Sequence, residues 1–300
     1  MLVALTGVSG FIGAYTAKAL HARGHHVRGL VRESSKRDHI RNVVAEFVTG
    51  ELDDPAAQQQ LAQGVDAVIH NAVAWDAGSN PVRNFEVNVL GSLRLLEATR
   101  TAGAKQFVFV SSVGALSEIS DEWGGRITET HPTWPGSLYG AYKAAVEPHL
   151  KAYHQTYGLN TSAWRPAAVY GVDPNLRRSQ WYDLVRDAKA GKPIDTPHGG
   201  KITHVQDVAD ALALTVGDAS TAGQFYNLVD CHLYWQDVAE MARDVLGSAS
   251  IIHDRRGTGP KNQFDCAKAI AFFDRHGNRA ALRRGTDGVR AYVSELAPLL

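Results

Sequence analysis

Tyr139 and Lys143, in the run Tyr139-Gly140-Ala141-Tyr142-Lys143, stand four residues apart and so share one face of a helix. An ammonium close to a phenol lowers the phenol's pKa from about 10 towards neutral. A phenol so tuned can give or take the proton that accompanies hydride transfer at a carbonyl or alcohol. Tyr142 has no lysine four residues on and reads as packing. A second group closes the apolar run Phe107-Val108-Phe109-Val110, which ends in Ser111-Ser112. Open parallel sheets carry their sites at the C-terminal ends of the strands. The Ser112 hydroxyl is therefore expected in the same crevice, hydrogen-bonded to the substrate oxygen that Tyr139 protonates.

A third pattern opens the chain, where Thr6-Gly7-Val8-Ser9-Gly10-Phe11-Ile12-Gly13 joins a strand-like run to a helix-like one. Three glycines at this spacing give a tight turn, let backbone amides approach a pyrophosphate, and allow close packing of helix on sheet. The helix N-terminus then presents its partial positive charge to the anion. Gly7, Gly10, Phe11, Ile12 and Gly13 are thus expected to bind a dinucleotide. The next strand ends Val31-Arg32-Glu33-Ser34-Ser35-Lys36-Arg37, with no acidic residue directly at its turn to hold ribose hydroxyls. A guanidinium there suits a 2′-phosphate, so Arg32 favours NADP over NAD. Leu52 and Asp53, after the third strand, are placed for adenine, although an aspartate before Pro55 serves equally well as a helix cap.

The elements that must position these groups alternate. Strand-length apolar runs at Leu2–Leu5, His26–Val31, Ala45–Thr49, Ala67–His70, Gln106–Val110 and Thr161–Arg165 are separated by helical patterns. The helices are expected over Phe11–Arg23, Pro55–Gln63, Val82–Thr101 and Tyr139–Thr156. Continuous apolar strands between helices imply an α/β fold with a doubly wound parallel sheet of Rossmann type. After about residue 170, proline and glycine crowd together and strands shorten, with helices at Gln180–Ala190, Gln206–Val216, Trp235–Leu246 and Arg283–Leu296. We read residues 1–170 as the dinucleotide-binding domain and 171–300 as a smaller α/β substrate lobe interleaved with it. Leu282-Arg283-Arg284 reads as a solvated helix start.

Composition narrows the partners. With 31 Lys+Arg against 31 Asp+Glu, the net charge is zero, which argues against a nucleic-acid ligand. Hydrophobic residues make up 44% and charged ones 21%, the balance of a globular chain rather than a disordered one. No apolar run approaches a membrane span, and Leu2-Val3-Ala4-Leu5 does not open a signal peptide. Cys231 and Cys266 form no CxxC pair, so a reduced, cytoplasmic protein is expected. The 13 histidines include no HExxH or other tight ligand spacing, and no metal is expected.

From Thr6 to about Asp265 the motifs resemble those of the extended short-chain dehydrogenase/reductases, also described as NAD-dependent epimerase/dehydratases. TGVSGFIG resembles the family's TGxxGxxG, and Ser112, Tyr139 and Lys143 match its catalytic Ser and YxxxK. Val68-Ile69-His70-Asn71-Ala72 resembles its strand-four cofactor motif, and Asn88-Val89-Leu90-Gly91-Ser92 its NVxGT segment. Trp164-Arg165-Pro166-Ala167-Ala168-Val169-Tyr170-Gly171 resembles RPxxVYG, whose backbone lies by the nicotinamide. Ile202-Thr203-His204-Val205-Gln206-Asp207-Val208-Ala209 resembles the segment that returns the C-terminal lobe to the core. The resemblance adds Asn71, Ala72, Val73, Asn88, Ser111, Pro166 and Val169 to the expected cofactor contacts, and implies a homodimer.

Departures from the family pattern sharpen the function. Val113-Gly114-Ala115 follows Ser112 where sugar dehydratases carry an Asp-Glu pair, so elimination of water is not expected. Ala168 and Gly200-Lys201 stand where sugar-nucleotide members carry an Asn and an Arg. The expectation is an NADPH-preferring carbonyl reductase, or the reverse alcohol oxidation, on a small molecule. A sugar-nucleotide epimerase with retained NAD is the alternative, and a non-catalytic NAD(P)-binding regulator the third reading. Trp75, Asp76, Val113, Trp123, Trp134, Arg177, Arg178 and Trp181 lie on candidate substrate loops, where aromatic walls favour an apolar or ring-shaped ligand.

Overall fold

The computed structural model describes residues 1–75, 80–116, 125–254, 256–257 and 262–300. The first unit is β1 (Leu2–Thr6), α1 (Phe11–Ala22), β2 (His26–Val31) and β3 (Glu46–Thr49). It continues through α2 (Pro55–Ala62), β4 (Ala67–His70), α3 (Pro81–Asn84), α4 (Gly91–Thr101) and β5 (Gln106–Val110). After β6 (Arg126–Ile127) come α5 (Leu138–Tyr157), β7 (Asn160–Pro166), β8 (Ala168–Tyr170), α6 (Tyr182–Lys189), β9 (Gly199–His204) and α7 (Val205–Thr215). The chain ends with β10 (Gln224–Leu228), β11 (Cys231–Tyr234), α8 (Trp235–Leu246), β12 (Gln263–Phe264), α9 (Ala267–Arg275) and α10 (Gly285–Leu296).

Seven strands form one parallel sheet in the order β10-β7-β5-β4-β1-β2-β3. Strand order reverses between β1 and β4, and such a switch point opens a crevice at the strands' C-terminal ends. Alternate side chains feed opposite faces. Val3 and Leu5 pack beneath α1, α7 and α9, while Ala4, Phe107 and Phe109 pack beneath α2, α4 and α5. Burial on both faces explains why the strands read as continuous apolar runs.

A smaller sheet, β11-β9-β8, carries α6, α8 and α10 around a core that includes Tyr170, Trp181, Leu233, Val238 and Tyr292. The main sheet also draws on residues beyond 170, because β10 is its edge strand and α7 packs on α1. Helix α9 has no counterpart in the sequence reading. It buries Ala269, Phe272 and Phe273, and the Phe272 ring meets Trp164 edge-on at 5.0 Å. The expected helix Val82–Thr101 is interrupted, with a π-helical turn over Phe85–Leu90 between α3 and α4. Arg284 is not solvated as expected: it donates to the fully buried Asp207 at 2.8 Å, which ties the start of α10 to α7.

Candidate active site

The glycine turn leaves α1 with free donors. Gly10 caps the helix with no side-chain acceptor, and no acidic residue stands in its first turn. Two of the three glycines, Gly7 and Gly13, are required by conformation and space. Gly7 has a φ of +68°, and a Cβ there would lie 3.1 Å from the Ala72 Cα. A Cβ at Gly13 would overlap the Gly7 carbonyl, so Gly13 serves helix–turn packing and does not itself line the cleft. The cradle, with uncapped amides facing a cleft of about 1030 Å³, fits a dinucleotide pyrophosphate.

At the end of the cleft beside β2 and β3, Arg32, Ser35, Leu52 and Asp53 line the wall. The Arg32 backbone N–H donates to Ser35 Oγ at 3.0 Å, which shapes the turn. Its exposed guanidinium has no hydrogen-bonded or ionic partner among the described residues. The adjacent aspartates face different ways. Asp54 caps α2 by accepting from Ala56 N at 2.9 Å, whereas Asp53 faces the cleft and pairs with Arg83 at 2.8 Å. Arg83, absent from the expected set, is brought there by the turn into α3.

The end of β4 is held by a buried chain of hydrogen bonds. Thr6 Oγ1 accepts from Asn71 N and Ala72 N, both at 3.0 Å, so its own proton must go to His70 Nδ1 at 2.8 Å. That places the imidazole proton on Nε2, which donates to Ser92 Oγ at 2.7 Å. Burial, with the nearby Lys143 charge adding to it, lowers the His70 pKa to about 3, and the ring is neutral. Asn71, Ala72 and Val73 reach the cleft wall. Asn88 does not: it is buried, and its amide clamps both backbone groups of Ala74. It therefore positions the loop that carries Trp75.

Ser137 caps α5 by accepting from Gly140 N at 3.1 Å, which sets Tyr139 and Lys143 in the first turns facing the end of β5. Ser112 Oγ accepts from Gly114 N at 3.0 Å. Lys143 Nζ donates to Val110 O at 2.6 Å. Burial pushes the Tyr139 phenol up, against the lowering influence of the Ser112 hydroxyl, so the expected depression by Lys143 is corrected. The reason is that Lys143 is itself buried: desolvation takes its amine down to about 7, opposed by the Glu147 carboxylate, and Nζ lies 5.6 Å from the Tyr139 ring centre. Ser111 borders the cleft, but its hydroxyl turns away and donates to Glu147 at 2.7 Å.

Ser112, Val113, Tyr139, Lys143, Pro166 and Val169 share the cleft with the glycine turn. Trp75 joins them, its ring stacked on Tyr139 at 4.9 Å and 23° while 69% of its surface stays exposed. Trp181 does not reach the cleft. It sits in the C-terminal core against Tyr170 and Trp235, so its expected substrate contact is replaced by packing. Arg178 and Asp173 line the cleft, whereas Arg177 does not. Asp76 and Trp123 lie outside the described residues. Among the described residues there is no cluster of His, Cys, Asp or Glu able to hold a metal, and no helix long and apolar enough to cross a membrane.

A family model described as the NAD dependent epimerase/dehydratase family matches residues 3–228. A Synechocystis protein whose name assigns it to the dihydroflavonol 4-reductases is 34% identical over 229 residues, 73% of this chain and 64% of its own length, so the match spans under two thirds of that relative. The UDP-glucose 4-epimerase of Mycolicibacterium smegmatis is 32% identical, over 76% of this chain and 77% of the other. The crystal structure of Thermus thermophilus UDP-glucose 4-epimerase in complex with NAD superimposes with a TM-score of 0.78 at 28% identity, over all of both chains. The glycine cradle, the parallel sheet and these matches together make the chain a member of the NAD-dependent epimerase/dehydratase family, of the extended short-chain dehydrogenase/reductase type.

Proposed function

We propose that this enzyme is an NADP-preferring carbonyl reductase, or the reverse alcohol dehydrogenase, acting on a small molecule. The observation that carries the reading is the convergence of Ser112, Tyr139 and Lys143 on the cleft that also holds the glycine turn and Arg32. Gly7, Gly10, Phe11 and Ile12 would cradle the pyrophosphate, with Arg32 on a 2′-phosphate and Leu52 and Asp53 beside the adenine. Asn71, Ala72, Val73, Pro166 and Val169 would flank the nicotinamide, which supplies or accepts the hydride. Ser112 Oγ holds the substrate oxygen and Tyr139 delivers or removes its proton. Lys143, at a pKa of about 7, lies close enough to neutrality to recharge the phenol. Val73, Ala74, Trp75 and Val113 make the reacting end largely apolar, which suits a ring-bearing carbonyl compound better than a nucleoside diphosphate. The same reading takes residues 171–300 as the substrate lobe and the protein as a cytoplasmic homodimer, by likeness to its relatives.

A sugar-nucleotide epimerase with retained NAD is the second reading, favoured by the epimerases among the relatives. The two separate on the purified protein. Denaturation should release no stoichiometric NAD, and NADPH should bind at least tenfold more tightly than NADH. Arg32→Ala should erase that preference, and equal affinities in the unaltered enzyme would sink the role given to Arg32. NADPH oxidation with a panel of aromatic and alicyclic ketones should be abolished by Tyr139→Phe while NADPH affinity stays within about twofold. Stoichiometric NAD on denaturation would favour the epimerase.

A further inference from the structure

Helix α5 is fastened to the strand ends beneath the site at two successive turns. Lys143 Nζ donates to Val110 O, and one turn on, the Glu147 carboxylate accepts from the hydroxyl of Ser111, the residue next to Ser112. The same carboxylate takes both arms of Arg165 from β7, Nε at 2.8 Å and Nη2 at 2.7 Å, and each partner is 2% exposed. Arg165 Nη1 donates onward to the Glu129 carbonyl at 3.2 Å. Three donors thus converge on one buried carboxylate that touches neither the cleft nor a ligand position.

Resting on the Ser112–Tyr139–Lys143 reading above, we propose that Glu147 is a positioning residue for the reaction. Its carboxylate fixes α5 against β5 and β7, so that Tyr139 and Lys143 stand in register with Ser112, and it supplies the counter-charge that lets Lys143 carry an ammonium in a buried site. The titratable neighbours are Tyr139 and Tyr142 on α5 itself, neutral His70 on β4, and Arg165 on β7. Glu129, in the loop after β6, turns its carboxylate to Asn227 N instead. Among these described neighbours Glu147 is the anion that Lys143 feels. A buried bidentate pair is costly to assemble from water and is weak evidence for stability, which leaves register and charge as what this one provides.

The test reads Lys143 directly. Competitive acetylation with acetic anhydride across a pH series, followed by peptide mass spectrometry, gives the titration midpoint of its amine. Glu147→Gln should lower that midpoint by about one pH unit, and Glu147→Asp should restore it. Because Glu147→Gln strands a buried guanidinium and can fail to fold, Glu147→Gln with Arg165→Met is the companion variant, expected to move the midpoint the same way. A purely structural pair would lower the melting temperature and leave the midpoint in place, and that result overturns the proposal. Lys143→Met separates the two levels of inference. If it keeps full NADPH oxidation on the ketone panel, the catalytic reading and this one fall together. If it is inactive while Glu147→Gln leaves the midpoint unmoved, the Glu147 inference falls alone.

Discussion

Acidification should unfasten the β4 end of the cleft through a single histidine. His70 accepts from Thr6 and donates to Ser92 with no solvent contact, so a second proton on its ring would have to displace the Thr6 proton and bring a charge into a closed site. Its folded pKa of about 3 lies below the ordinary histidine value of 6.5. The unfolded chain therefore binds the extra proton first. The stability linked to His70 is complete above pH 6.5 and is lost as pH falls towards 3. At 1.36 kcal/mol per pH unit, the loss is about 2 kcal/mol by pH 5 and roughly 4–5 kcal/mol when complete. Other groups titrate over this range, so the measurement is a difference: urea unfolding of the natural chain and of His70→Gln at pH 7, 6, 5 and 4. The variant forfeits about 1–3 kcal/mol of hydrogen bonding at pH 7, but its curve should fall less steeply, and the gap should narrow by about 2 kcal/mol at pH 5. Nitrogen NMR of the ring should show a neutral Nε2–H tautomer at pH 5. Parallel stability curves, or an imidazole protonating near its ordinary pKa, would refute the assignment.

Other expectations follow from single contacts. Gly13→Ala forces the Gly7 carbonyl aside, so it should cost about 1–3 kcal/mol in thermal unfolding and weaken NADPH binding more than tenfold. Trp75→Ala removes one stacked, mostly exposed ring, so stability should change by less than about 1 kcal/mol. Its Michaelis constant for aromatic ketones should nevertheless rise severalfold, and an unchanged constant would remove Trp75 from the substrate wall.

Much of the fold could be read from the chain because its signals are local. The expected strands at His26–Val31, Ala67–His70 and Gln106–Val110 match the observed ones residue for residue, since both faces of a parallel sheet are covered and the runs are unbroken. Helix α8 was equally legible, its expected range Trp235–Leu246 matching the observed one, and Gly247 closes it with a φ of +59°. Helix α9 was not, because its Ala269, Phe272 and Phe273 gain meaning only against Trp164 and Tyr226, about a hundred and about forty residues earlier. Arg284 misled for the same reason: a basic doublet looks solvated until Asp207 is seen beneath it.

The site divides along the same line. Spacing alone put Tyr139 above Lys143 on one helix face and three glycines in one turn, because helix periodicity and steric exclusion act over a few residues. Direction was beyond it. Ser111 and Ser112 are adjacent, yet strand alternation and packing send one hydroxyl to Glu147 and leave the other at the cleft. Trp75 and Trp181 are the same residue type on comparable loops, and only the assembled lobe shows that one stacks on Tyr139 while the other is core. The charge state of Lys143 also belongs to the tertiary structure. The field of Glu147 follows from its place four residues on along α5, but the desolvation arises from how α5, β5 and β7 close over the amine, and no reading of neighbours in sequence contains that.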